Sequence, residues 1–180
     1  MDKGPDLRAM KKARNFLAGK IIKTPVLELS STKIKDLLPL ESNVRMKLEL
    51  FQQTGSFKSR GALLALSKLT KNQKEKGVIA VSAGNHALAV SWAAMCAKTN
   101  AKVVMLESSD SVRIEGCRNF GAEVILSPDV GNAFSLVEEI AKSEGRAILK
   151  PFDSEEMILG SASCGLEMIE DFPELEVAIV

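Results

Sequence analysis

Val78-Ile79-Ala80-Val81-Ser82-Ala83-Gly84-Asn85-His86-Ala87 decides the fold. Four apolar residues, three of them β-branched, read as a short strand buried on both faces. A small polar turn follows, and then the long apolar run Ala87 to Ala97, which reads as a helix. Downstream the same rhythm repeats. Strands are expected at Val103 to Leu106, Glu123 to Leu126 and Ala147 to Leu149. Helices are expected near Ser111 to Phe120, Ala133 to Lys142 and Glu155 to Ile169. Val177 to Val180 reads as a last strand. Short apolar strands separated by helices imply an α/β fold, with parallel sheets covered by helices on both faces in three layers.

Upstream, Leu7, Met10 and Leu17 recur at helical spacing, with Asp6 as cap and Gly19 as stop. Thr24-Pro25 breaks the chain before an extended piece at Val26 to Leu29, and a short helix is expected after Ser30. Val44, Met46, Leu48 and Leu50 alternate with Arg45, Lys47 and Glu49, the pattern of a half-buried strand. A helix then runs through Ala62, Leu63, Leu66 and Leu69.

Composition excludes several classes. The 180 residues carry 24 Lys+Arg and 23 Asp+Glu, a net charge of +1, too little for an electrostatic nucleic-acid binder. Hydrophobic residues make up 46% and charged residues 26%, which excludes a disordered chain. No apolar run reaches the roughly 18 to 20 residues of a membrane span. One His and three dispersed cysteines, Cys96, Cys117 and Cys164, do not make a zinc site, so no metal is expected. The thiols read as reduced and mostly buried, and the protein as cytoplasmic.

Two polar islands could carry chemistry. Gln53-Thr54-Gly55-Ser56-Phe57-Lys58-Ser59-Arg60-Gly61-Ala62 lies between the alternating strand and a helix, and Ser82-Ala83-Gly84-Asn85-His86 lies between a buried strand and a helix. Each places backbone N–H groups at a helix N-terminus, where a phosphate or carboxylate is stabilised. A lysine in a dry cleft, as Lys58 would be, can act as nucleophile or base.

These motifs, with Thr24-Pro25-Val26, Gly121-Ala122-Glu123-Val124 and Pro151-Phe152-Asp153, resemble the fold-type II pyridoxal-phosphate enzymes. Within them they are similar to the serine/threonine dehydratase and serine racemase branch. The resemblance implies a tryptophan synthase beta-like fold of two lobes, with residues 1–75 and 151–180 in the large lobe and 76–150 forming the small one. It implies that the large lobe is incomplete, because the family's glycine-rich phosphate loop would follow the last strand.

It also implies roles. Lys58 would be the catalytic Schiff-base lysine, bonded to pyridoxal 5'-phosphate and moving the Cα proton. Phe57 would pack on the cofactor ring, and Asn85 would bond its hydroxyl. Ser82, Ala83, Gly84, Asn85 and His86 would receive the substrate carboxylate. The expected reaction is conversion of L-serine or L-threonine to a 2-oxo acid and ammonia. The alternative is a truncated non-catalytic form that binds cofactor poorly and associates with a full-length subunit. Small amino acids are the expected substrates and a homo-oligomer the expected state, with neither nucleic acid nor membrane as partner.

Overall fold

The computed structural model describes residues 4–29, 33, 36–37, 39 and 42–180. Its elements are α1 (Leu7–Leu17), β1 (Val26–Glu28), β2 (Arg45–Lys47), α2 (Lys58–Lys68), α3 (Lys71–Lys76), β3 (Val78–Val81), α4 (Asn85–Ala97), β4 (Ala101–Leu106), α5 (Ser111–Asn119), β5 (Glu123–Ser127), α6 (Val130–Glu144), β6 (Ala147–Ile148) and α7 (Glu155–Asp171). Two 3-10 turns, Glu49–Phe51 and Gln53–Gly55, link β2 to α2.

The main sheet is parallel, in the order β5-β4-β3-β6. Alternation along the strands sorts its two faces. Val78, Ala80, Val103 and Met105 pack with α4 and with Leu63 and Leu66 of α2. Ile79 and Val104 face Ala133, Val137 and Ala141 of α6. Caps set the helix limits: Asp6 accepts from the N–H of Ala9, Asp129 accepts from that of Asn132, and Gly145 closes α6 in the left-handed region at φ +69.

A second contact fixes α2, which begins with Lys58. Helices α2 and α7 cross with their backbones nearly touching. A Cβ on Gly160 would stand 2.4 Å from Gly61 Cα, and one on Gly61 would stand 2.7 Å from Met157 Sδ. Only glycine admits this approach.

The structure departs from the sequence reading at several places. The alternating segment 44–50 forms a strand only at Arg45–Lys47, paired antiparallel with β1. At Leu48 the chain turns into a 3-10 turn and leaves Leu50 62% exposed; the Leu48 N–H still donates to the Pro25 carbonyl at 3.0 Å, but proline has no N–H to return and the ladder stops there. Val177 to Val180 is not a strand. It has no neighbour to pair with among the described residues, and Ile179 is 93% exposed. Helix α3, closed by a Thr70–Gln73 capping box, was not expected, and α7 runs two residues past Ile169. The helix expected after Ser30 lies largely outside the described residues. Of the thiols Cys117 is buried and Cys164 half-buried, but Cys96 is exposed. No described helix is long and apolar enough to cross a membrane.

Candidate active site

Lys58 is placed by a tight loop. Thr54 and Gly55 both take positive φ, +64 and +72, and turn the chain so that Phe57 precedes the first helical residue, Lys58. The Lys58 ammonium donates to the Pro151 carbonyl at 2.8 Å and lies 5.2 Å from the centre of the Phe57 ring. The hydroxyls of Thr54 and Ser56, in the same loop, are buried without hydrogen-bond partners. Buried polar groups are normally satisfied, so these two are free to meet polar atoms of a ligand.

The second island caps β3. The Ser82 N–H donates to the Val104 carbonyl at 3.1 Å, and Ser82 Oγ accepts from the Gly84 N–H at 3.1 Å. Gly84 is the cap residue of α4, and no side chain caps this helix. The N–H groups of Asn85 and His86 therefore remain available to an anion, whereas that of Ala87 donates to the Gly84 carbonyl at 3.1 Å. A Cβ on Gly84 would meet nothing nearer than Arg113 Nη1 at 4.0 Å, so a ligand can approach the backbone there. Arg113, on α5, donates to the Ala83 carbonyl at 3.4 Å and adds positive charge beside the loop. Ala83 and Asn85 are exposed at the rim of the turn, and Ser82 and Gly84 are half-buried beside them.

His86 is buried, and its Nε2 lies 3.0 Å from the Leu149 carbonyl. With Nε2 as the donor, Nδ1 is left as a buried acceptor without a partner. Burial pushes the His86 pKa below its usual value; the Leu149 bond opposes this, and the Lys58 charge adds to it. The imidazole is thereby held neutral. Both islands thus attach to one segment beyond β6, Lys58 through Pro151 and His86 through Leu149.

A buried charge cluster, which the sequence reading missed, holds the lysine helix. Arg60 is fully buried. It donates to Glu49 through Nε and Nη2 at 2.9 and 2.7 Å, to Glu167 through Nη1 and Nη2 at 2.7 and 3.0 Å, and to Ser163 at 3.1 Å. Lys47 pairs with Glu167 at 2.9 Å and with Asp171 at 3.2 Å. Burial works to lower the Arg60 pKa, but its bonds to Glu49 and Glu167 outweigh this and raise it. For Glu167 burial favours the neutral acid, yet Arg60 and Lys47 hold its pKa below the usual carboxylate value. The signal was present in the sequence: Lys47 and Glu49 share one face two residues apart, and Arg60 stands in the first turn of an apolar helix.

Comparison with known proteins decides the family. Residues 17–180 match the sequence profile described as pyridoxal-phosphate dependent enzyme. The chain belongs to this family. Its members depend on pyridoxal phosphate, and fold-type II parallel α/β architecture is what the structure shows. Phenylserine dehydratase of Ralstonia pickettii is 40% identical over 177 residues, 98% of this chain and 53% of that protein. Catabolic L-threonine dehydratase of Escherichia coli K12 is 38% identical over 171 residues, 93% of this chain and 50% of that protein. Among solved structures, maize serine racemase superposes with a TM-score of 0.87 at 28% identity, over 96% of this chain and 51% of that one. The threonine deaminase of T.th. gives 0.81 at 33% identity, over 97% and 54%. The chain spans about half the length of the relatives it matches.

The residues present fit the cofactor. An amine on a neutral carbonyl, two unpartnered buried hydroxyls and an open backbone at Gly84 offer an aldehyde-reactive nitrogen and places for polar ring substituents.

Proposed function

We propose that the protein is a pyridoxal-phosphate-dependent ammonia-lyase that converts L-serine or L-threonine to a 2-oxo acid and ammonia. The observation that carries this reading is the junction of the two islands, with Lys58 and His86 anchored two residues apart on Pro151 and Leu149. Lys58 would hold the cofactor, Phe57 would lie against its ring and Asn85 would bond the ring hydroxyl. Bound there, pyridoxal phosphate supplies an electron sink for negative charge at the substrate Cα.

The chain's own residues do the rest. The N–H groups at the start of α4, with Ser82, Ala83, Gly84, Asn85 and His86 around them, receive the substrate carboxylate, and Arg113 adds attraction. The carboxylate fixes the orientation of the Cα–H bond, and Lys58 removes that proton. His86, held neutral, does not compete as an acid. The net reaction removes water across Cα and Cβ, and hydrolysis then gives the 2-oxo acid and ammonia. Ala83 presents a methyl group where related serine racemases commonly carry a hydroxyl. A methyl cannot hold a proton, so proton exchange on both faces of Cα is disfavoured and elimination dominates.

In this reading residues 1–75 and 151–180 belong to a large lobe and 76–150 to a small one. The protein works as a soluble cytoplasmic homo-oligomer. A second reading is a non-catalytic chain that binds the cofactor poorly and associates with another subunit of the family. It is favoured by apolar side chains open to solvent at Leu50, Phe51, Phe152 and Ile169. Incubation with L-threonine and cofactor separates the two. Equal yields of 2-oxo acid and ammonia, with little D-serine from L-serine, support the lyase. Little cofactor retained at Lys58, with no turnover, supports the second reading.

A further inference from the structure

We infer that the substrate site extends into an apolar side pocket that takes an aryl or branched alkyl group on the substrate β-carbon, an assignment that rests on the reading of Ser82–His86 as the carboxylate receptor. A cavity of about 170 Å³ opens at the carboxyl end of β3 and β4, beneath the start of α6. Val81, Ser82, Ala83, Leu106, Val130 and Phe134 line it. Ser82 and Ala83 are shared with the carboxylate loop, so pocket and anion site are two sides of one turn. Val130 and Phe134 are each 56% exposed, an unfilled apolar wall at the first turn of a helix whose later residues are packed.

Size and chemistry name the occupant. An apolar cavity of roughly 150 Å³ accepts benzene. The hydroxymethyl group of serine would leave most of this space empty, whereas a phenyl or branched alkyl substituent would cover Leu106 and Phe134 and lose its own contact with water. The β-hydroxyl leaves as water by taking the proton that Lys58 removed from Cα, so it would face Lys58 and leave the pocket to the other substituent of the β-carbon. The structure therefore assigns the site to β-hydroxy amino acids bulkier than serine, with Ala83 setting the width of the entrance and Phe134 forming the outer wall.

The test uses carboxylates that need no cofactor. Propionate and 3-phenylpropionate are titrated into the full chain and followed by amide resonances of Ser82–His86 and methyl resonances of Ala83, Leu106 and Val130. The expected result is binding of 3-phenylpropionate at least about tenfold tighter than propionate, on the scale of burying one phenyl group. Ala83→Leu, which fills the entrance, and Phe134→Ala, which removes the wall, should each shrink that ratio to about threefold or less. Neither side chain belongs to the packed core, so the fold tolerates the changes. If both carboxylates shift the loop amides but the ratio is near one, or survives both variants, the pocket inference fails and the carboxylate reading stands. If neither carboxylate shifts the loop amides, the carboxylate reading fails and takes the pocket with it.

Discussion

Arg60→Met tests how the lysine helix is held. Methionine keeps most of the side-chain length but removes the guanidinium, and with it five hydrogen bonds to Glu49, Glu167 and Ser163. The two carboxylates left behind are only 13% and 7% exposed, so water cannot take over the whole role. Removing one partner of a buried pair costs about 3–5 kcal/mol. Lys47 still faces Glu167 at 2.9 Å, which places the loss at the lower end, about 3 kcal/mol. For a chain of this size that is a fall in Tm of about 6–12 °C. Urea unfolding followed by circular dichroism measures it, and the deficit should shrink below pH about 4.5, the ordinary carboxylate value from which Arg60 depresses Glu167. A loss under about 1 kcal/mol, or a deficit independent of pH, would refute the view that the cluster is dry and interdependent.

Three further outcomes follow from the geometry. Gly160→Ala places a methyl 2.4 Å from Gly61 Cα and should cost about 1–3 kcal/mol or more, read as a lower urea midpoint, with Gly165→Ala, which meets nothing within 4 Å, as the tolerated control. His86 has a folded pKa below its usual 6.5, so the unfolded chain takes up the proton first; stability should be full above pH about 6.5 and fall as the pH is lowered, and His86→Gln should remove that limb of the urea-midpoint profile. Glu167 is also depressed, from 4.5, so a second loss should begin below that value and persist in the His86 variant.

The parallel sheet was legible because its central strands, β3 and β4, are buried on both faces, and because the edge strand β5, only partly buried, still carries a short apolar run. Val78–Val81 and Glu123–Ser127 emerge almost as the apolar runs place them. Segments whose state depends on a neighbour were not legible. The alternation at 44–50 continues past the point where β1 ends, and Val177–Val180 has strand composition but no strand beside it among the described residues. Lys58 and the Ser82–His86 turn could be singled out as helix starts carrying polar atoms. Arg113 could not, because its role depends on how α5 docks beside the Ala83 carbonyl. Likewise, nothing local in Leu149 or Pro151 shows that their carbonyls would gather His86 and Lys58.

The central claim is that Lys58 is the amine that bears the cofactor. Borohydride reduction of the full chain incubated with pyridoxal phosphate, followed by peptide mapping, tests it directly. The account predicts one dominant labelled peptide containing Lys58, lost in Lys58→Ala while the circular dichroism spectrum stays unchanged. Label spread evenly over exposed lysines such as Lys71, or retained after Lys58→Ala, would contradict it.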